Sequence, residues 1–292
     1  VPPLPAGSRF QEFALPRMVQ IQILDASSPL REVRPLKETS RNVLGWIEGA
    51  RPDLRDQVVV LGAHVDHLGV QEGKTLRGAE DNASGVAVLL EVASLLAASS
   101  DLLGRSVLVV FFGSEERAMD GSREFVRQPP VDLDRIVAMV NVDMIGRPLA
   151  DQKALAAAKT LLGIDGSKAV GVVGTRGRPG FRRIVDSACA RTGLSVFAPE
   201  DFPPPLSNIL EGVTKDRGDH AAFERAGIPA IFYGSGESDD YHAPTDTPEK
   251  LDPALMARRA QAIYATAIAL SVAPPGELPA RGAASPRAGS AK

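Results

Sequence analysis

Thiolate chemistry is almost closed to this chain, which has a single cysteine, Cys189, in 292 residues. An intrachain disulfide is excluded, and so is a zinc site built on cysteine. Any metal must rest on His, Asp and Glu, and histidine is itself scarce, with four in the whole sequence. A basic excess is also lacking: 33 Lys and Arg face 36 Asp and Glu, for a net charge of -3. No field therefore draws a phosphate backbone or an anionic membrane, and nucleic acid is not an expected partner. No uncharged apolar run reaches the roughly 18 to 20 residues that span a bilayer, and the N-terminus lacks the basic-then-apolar order of a signal peptide. There is no internal repeat and no Gly-rich phosphate loop. The chain opens on Val1-Pro2-Pro3 without Met, which gives the expectation of a trimmed, exported product, secreted or periplasmic.

What is present is a hydrophobic content of 44%, sufficient for one large α/β domain. Residues 57–63 read as a continuous apolar run, as a strand buried on both faces requires, and 106–112 and 136–142 read as two more buried strands. A further strand is expected at 230–233, directly after Pro229, and another at 42–47. The alternating stretch 18–24 reads as an edge strand with one face toward solvent. Helical spacing is clearest over 85–98, where Val86, Leu89, Leu90, Ala93 and Leu96 recur, and is repeated at 154–162, 181–192, 220–226 and 253–272. Strand and helix alternate, which favours a layered sheet with helices on both faces. Residues 196–216, rich in Pro and polar side chains, read as a long loop. From Pro274 the composition falls to Pro, Ala, Gly, Ser and Arg, so 274–292 is expected to be a disordered tail.

The residues able to carry chemistry gather after the buried strands. His64 and Asp66 follow the first, Glu115 and Glu116 the second, Asp143 the third, and His242 comes a short Gly/Ser/Asp loop after the fourth. Ligands of open α/β sheets bind outside the carboxyl ends of the strands, so these side chains share the expected edge. Asp81 instead opens a helix, where a carboxylate is favourable simply as a cap. Taken singly, an Asp after a strand ordinarily serves a turn, and a Glu pair ordinarily faces solvent. Together, imidazole nitrogens and carboxylate oxygens without thiolate make a normal ligand set for catalytic zinc. Five candidates, His64, Asp81, Glu116, Asp143 and His242, exceed what one catalytic zinc needs and suggest two metals that share a carboxylate. Asp66 then suits an outer position, fixing the tautomer of His64. His67 ranks lower, as a loop residue, and His220 is expected to make a structural hydrogen bond at the start of its helix.

The runs Gly62-Ala63-His64-Val65-Asp66-His67-Leu68-Gly69, Gly78 to Val86 around Asp81, Phe111 to Glu116, Asn141 to Gly146 around Asp143, and Asp240-Tyr241-His242 closely resemble the co-catalytic di-zinc aminopeptidases of the bacterial leucyl aminopeptidase type. The resemblance covers about residues 40 to 270. It implies a three-layer αβα sandwich around a central mixed, mostly parallel eight-stranded sheet, the zinc exopeptidase fold. It also implies two Zn2+ per chain, with His64 and Asp143 on one, Glu116 and His242 on the other, and Asp81 bridging. Glu115 matches the general base, and Tyr241 the position whose hydroxyl polarises the carbonyl oxygen. A cis peptide is implied at Asp81-Asn82. The pattern Asp219-His220 through Phe223 to Gly227-Ile228-Pro229 matches a supporting motif.

The implied domain plan is a catalytic domain over 41–273, preceded by a segment, 1–40, that would join a protease-associated domain absent from this sequence. The implied reaction is hydrolysis of the N-terminal peptide bond of substrates with a free N-terminus, through a zinc-bridging water deprotonated by Glu115. Acidic groups at the site, Glu115 with Asp239 or Asp240, suit the substrate ammonium, while Arg217 favours a carboxylate instead. A single-zinc glutaminyl cyclase on the same fold is one alternative, although such enzymes usually lack the first His of the pattern. A non-catalytic binding domain that has kept the fold is another, but no ligand or base is missing here.

Overall fold

The computed structural model of the protein describes residues 9–15, 19–21, 33–35, 39–149 and 165–282. Its strands are β1 (Phe10–Ala14), β2 (Val19–Ile21), β3 (Val33–Pro35), β4 (Thr39–Ile47), β5 (Val58–His64), β6 (Gly69–Gln71), β7 (Lys74–Leu76), β8 (Ser106–Phe112), β9 (Ile136–Val142), β10 (Ala169–Val173), β11 (Ser195–Phe197) and β12 (Ala230–Gly234). Its α-helices are α1 (Gly85–Ala98), α2 (Asp120–Arg127), α3 (Pro179–Arg191), α4 (Leu206–Thr214), α5 (His220–Arg225) and α6 (Pro253–Val272). Eight strands form one sheet in the order β1-β4-β8-β5-β9-β12-β10-β11. Neighbours among β8, β5, β9 and β12 are parallel, as are β10 and β11, while β1–β4, β4–β8 and β10–β12 are antiparallel.

The period of two along each strand sorts the core into two halves. Val59, Leu61 and Ala63 of β5 join Val107, Val109, Val140 and Val142 under α1, α3 and α6. Val58 and Val60 turn the other way, with Leu108, Val110, Phe112 and Met139, and meet Phe125 of α2 and Phe223 of α5. Each such side chain, once removed from water, contributes about 1.5–3 kcal/mol. On the second face Phe125 and Phe223 lie with ring centroids 5.3 Å apart, each 6.0 Å from Phe112. Gly62 makes room for this group, since a Cβ there would come within 2.5 Å of the Phe112 ring. The expected αβα sandwich with a mixed, mostly parallel eight-stranded sheet is thus the architecture observed.

Several expectations need correction. The edge strand is Phe10–Ala14, paired to β4, whereas Val19–Ile21 pairs with Val33–Pro35 in a separate ribbon. Residues 196–216 are not a plain loop: β11 ends there, and α4 packs Leu206 and Leu210 on Leu149, Phe197 and Phe202. Nor is the tail disordered from its start. Leu278 is buried, Gly282 donates to the Gly227 carbonyl at 2.9 Å, and Arg281 pairs with Asp134 at 2.9 Å. One leucine and backbone hydrogen bonds are enough to order this stretch on the domain surface. The helix expected at 154–162 and residues 283–292 lie outside the described residues. One helical run, Ala79–Ala98, does have the length and hydropathy to cross a bilayer. It serves as a core helix, burying Val88, Leu89, Val92 and Leu96 against the sheet.

Candidate metal centre

β5 lies inside the sheet, and the chain leaves it first for β8 on one side and later for β9 on the other. That reversal opens a crevice at the carboxyl ends of these strands. The register aligns the three ends: His64 pairs with Phe112, and Gly62 with Asn141. His64 therefore emerges beside the loop carrying Glu115 and Glu116 and beside Asp143, whose N–H is held by the Tyr233 carbonyl of β12 at 3.0 Å. The loops turn sharply here, with Ser114, Met144 and His242 all at positive φ (62°, 54° and 56°). Left-handed backbone is uncommon outside glycine and costs energy that surrounding structure must offset.

Asp81 reaches the same place from a kinked turn over Ala79–Ser84, in which Asp81 and Asn82 are themselves non-helical and the peptide between them is cis. Its neighbour Asn82, rather than Asp81, caps α1, accepting from Gly85 N at 3.0 Å. The Asn82 side chain also donates to the Val142 carbonyl at 3.0 Å and accepts from Met144 N at 3.1 Å, so it grips the backbone on both sides of Asp143. Asp66 plays a matching part for the glutamates, its carboxylate accepting from Glu115 N at 2.9 Å and Glu116 N at 3.3 Å. The tautomer of His64 is set by the Asp66 backbone carbonyl, 3.0 Å from Nδ1, and not by its carboxylate, which stands 3.9 Å away. Nδ1 facing a carbonyl must donate, which leaves Nε2 as the ring nitrogen that faces the crevice and would bind a metal on losing its proton.

Two sets of donor atoms converge. His64 Nε2 lies 3.1 Å from Asp81 Oδ1 and 3.2 Å from Asp143 Oδ1. His242 Nε2 lies 3.2 Å from Asp81 Oδ2 and 3.2 Å from Glu116 Oε2. Donors around a tetrahedral zinc with bonds of about 2.0 Å are separated by about 3.3 Å, a spacing that the four nitrogen–oxygen distances match. His64, Asp81 and Asp143 gather within 4.8 Å of one another, as do His67, Asp81 and Glu116. Each set takes one oxygen of Asp81, the arrangement a bridging carboxylate needs. The donor set is nitrogen and oxygen throughout, which suits zinc.

His67 was ranked as a loop residue, yet its Nδ1 lies 2.7 Å from Glu116 Oε1 and 3.9 Å from Asp81 Oδ2, and it forms a candidate ligand group with them. It approaches Oε1, whereas His242 approaches Oε2 of the same glutamate, with its ring centroid 5.7 Å from that of His67. Gly78, at φ 61°, leaves space for the imidazole, since a Cβ there would sit 2.5 Å from its Cγ. The signal was present in the run His64-Val65-Asp66-His67, where the polar positions alternate only until His67 breaks the pattern.

Charge concentrates in little solvent. Burial opposes the His64 cation, but Asp143, Asp81 and Glu115 outweigh it and hold its pKa well above the usual value. Asp81 is pulled down despite its burial by the facing His64, His67 and His242. Glu115 goes the other way: burial, then the charges of Asp219, Asp143 and Glu116, push it up to about 9. Asp219 is wholly buried and is itself pushed up to about 7.

A profile of Peptidase family M28 matches residues 42–267. The chain belongs to that family. A "probable leucine aminopeptidase" of Trichophyton verrucosum is 25% identical over 275 residues, 85% of this chain and 69% of the relative. Among solved structures, a zinc aminopeptidase from Bacillus subtilis superposes with a TM-score of 0.57 at 20% identity, covering 80% of this chain and 50% of its own. A glutaminyl cyclase from an Acidobacteriales bacterium gives 0.60 at 19% identity, with 90% and 80% covered. This M28 chain thus spans about half the length of the Bacillus enzyme whose fold it shares.

Other expected roles change in this M28 chain. Asp240 is not free to meet a substrate ammonium, because Lys250 at 2.6 Å and Arg147 at 2.7 Å hold its carboxylate and depress its pKa strongly. Arg217 is paired with Glu237, which weakens its claim to a substrate carboxylate. The structural hydrogen bond expected of His220 is not made among the described residues. Both its ring nitrogens are buried without a partner, beside the Phe232 ring at 5.1 Å, and burial lowers its pKa to about 4.

Proposed function

We propose that this M28 chain is a zinc-dependent exopeptidase, an aminopeptidase that hydrolyses the first peptide bond of substrates with a free N-terminus. The observation that carries the reading is the pair of donor sets sharing Asp81, with an otherwise unassigned, half-buried carboxyl, Glu115, beside them. His64 and Asp143 would hold one zinc, Glu116 and His242 the other, and Asp81 would bridge. Bound zinc would acidify a water, polarise the scissile carbonyl and, by its charge, favour the ionised form of neighbouring carboxylates.

Glu115 takes a proton from the attacking water, the water oxygen bonds to the carbonyl carbon, and the carbon–nitrogen bond then breaks. Glu115 returns the proton to the departing amine nitrogen. The Glu115 backbone is anchored for this work by Asp66, at 2.9 Å. Tyr241 stacks on His242 with centroids 3.8 Å apart, and burial with the charges of Asp81, Glu237 and Glu116 raises its pKa. Its hydroxyl stays protonated and is suited to donate to the developing oxyanion. The preference for the amino end is supported by the name of the fungal relative and by the acidic surroundings of the site.

A peptide-library digestion, with both ends of the products sequenced and zinc content measured, tests the reading. Stepwise loss of N-terminal residues, abolished by N-acetylation, is expected at two zinc per chain. Release from the C-terminus, or cyclisation of N-terminal glutamine without hydrolysis, would contradict it.

A further inference from the structure

Asp246 lies four residues after His242 and is almost fully buried, at 2% exposure. Its carboxylate accepts from Glu80 N with both oxygens, at 3.0 Å each, and Oδ2 also lies 3.3 Å from Asp81 N. The turn joining it to His242 is closed by backbone bonds, Ala243 N to Asp240 O at 3.0 Å and Asp246 N to Ala243 O at 3.1 Å. The loop that presents His242 is thus fastened, through one side chain, to the backbone of the shared Asp81.

We propose that Asp246 is a positioning residue that registers the His242 loop on Asp81 and thereby completes the second zinc position. The inference rests on the two-zinc reading above. The two halves differ in what else holds them. His64 and Asp143 emerge from adjacent strands of the sheet, and Asn82 grips the backbone around Asp143. His242 has no strand beneath it: it closes the loop 235–242 after β12, with positive φ at Gly236 and at His242 itself, and keeps 33% of its side chain exposed. Without the clamp, Asp81 still faces two strand-borne partners, whereas His242 loses its register on Asp81 and Glu116. An ordinary cap would instead stabilise the 79–84 turn and affect both zinc positions alike, because both use Asp81.

Isothermal titration of the metal-stripped full chain with Zn2+ separates these outcomes, using the isosteric Asp246→Asn and, beside it, Asp246→Ala. Asp246→Asn puts an amide donor where two backbone donors need an acceptor. We expect the tighter zinc to bind it as in the unaltered chain and the weaker one to lose roughly 10- to 100-fold in affinity, the usual scale for groups that orient ligands. Asp246→Ala should lose at least as much, and added zinc should restore turnover in both. Equal affinities for both zinc ions in Asp246→Asn and the unaltered chain would overturn the proposal. A parallel loss of both would overturn it too, in favour of plain capping. One zinc in the unaltered chain would bring down the two-zinc reading itself, a result visible before any variant is made.

Discussion

The two halves of the metal centre are built on different foundations. His64 is the last residue of an interior strand and is 1% exposed, and Asp143 directly follows another such strand. Glu116 and His242 sit on loops entered through left-handed residues, and His67 leans on Glu116 from a third loop. Strand ends inherit the order of a packed core, while loop ends depend on individual hydrogen bonds. The comparison teaches that equal donor spacings need not mean equal affinities, and it leads us to expect the strand-borne half to be the tighter site.

The largest effect should come from neither half. Glu115→Gln keeps the shape and both ligand sets, so kcat should fall about 10²- to 10⁴-fold while zinc content stays near two and KM moves little. Stopped assays paired with elemental analysis check this. Near-normal turnover at full zinc loading would remove Glu115 from the mechanism.

Ligand changes sharpen the contrast itself. Glu116→Gln should release the loop-side zinc while the strand-side ion remains, with activity recovering as zinc is added. Asp143→Asn should weaken the tighter ion instead. Equilibrium dialysis of the two variants side by side would break the comparison if the order were reversed.

Asn82→Ala removes the grip on Asp143 and strips buried partners from Val142, Met144 and Gly85. An unsatisfied buried polar group costs about 1–3 kcal/mol, so a clear drop in the melting temperature of the metal-free chain is expected. Loss of strand-side affinity should accompany it. A variant that melted like the unaltered chain would show that β9 alone orients Asp143.

The smallest effect is one of pH on the metal-free chain. Glu115 and Asp219 have folded pKa values near 9 and 7, above their ordinary range, and His64 is raised as well. The folded state therefore binds protons more tightly than the unfolded one. Stability should fall as pH rises from about 5 toward 9, the reverse of a salt-bridged carboxylate. Thermal denaturation across that window should show the decline, and added zinc should flatten it. A melting temperature that climbed with pH would mean the carboxyl cluster ionises freely.

Legibility in the sequence followed burial. The strands 106–112 and 136–142 were readable to the residue because both faces are covered and apolar residues fill all but Ser106 and Asn141. Ala169–Val173 was missed, being short and holding Gly171 where the Gly234 carbonyl comes close, at 2.7 Å from a Cβ. α4 was hidden by Pro203, Pro204 and Pro205 ahead of it, although Leu206, Ile209 and Leu210 recur at helix spacing. His64 and Asp143 were legible because they end or follow buried strands, whereas Asp81, Glu116 and His242 were drawn in by the resemblance of their local runs. The clamps were not legible, because Asn82 to Met144 or Asp246 to Glu80 are long-range bonds between residues that look like ordinary turn formers. His67 fell between these cases, legible as a histidine but not as a neighbour of Glu116.

The spacing of the sheet has a consequence for metal exchange. Neighbouring strands stand about 4.8 Å apart whatever ion is present, because backbone hydrogen bonds fix that length. β5 and β9 are neighbours in the sheet and deliver His64 and Asp143, so this half of the cage is ruled by the main chain more than by its contents. Cobalt or manganese should meet nearly unchanged dimensions there. Differences in turnover among the metal-substituted forms would then report the electronic character of each ion, with the scaffold acting as a constant.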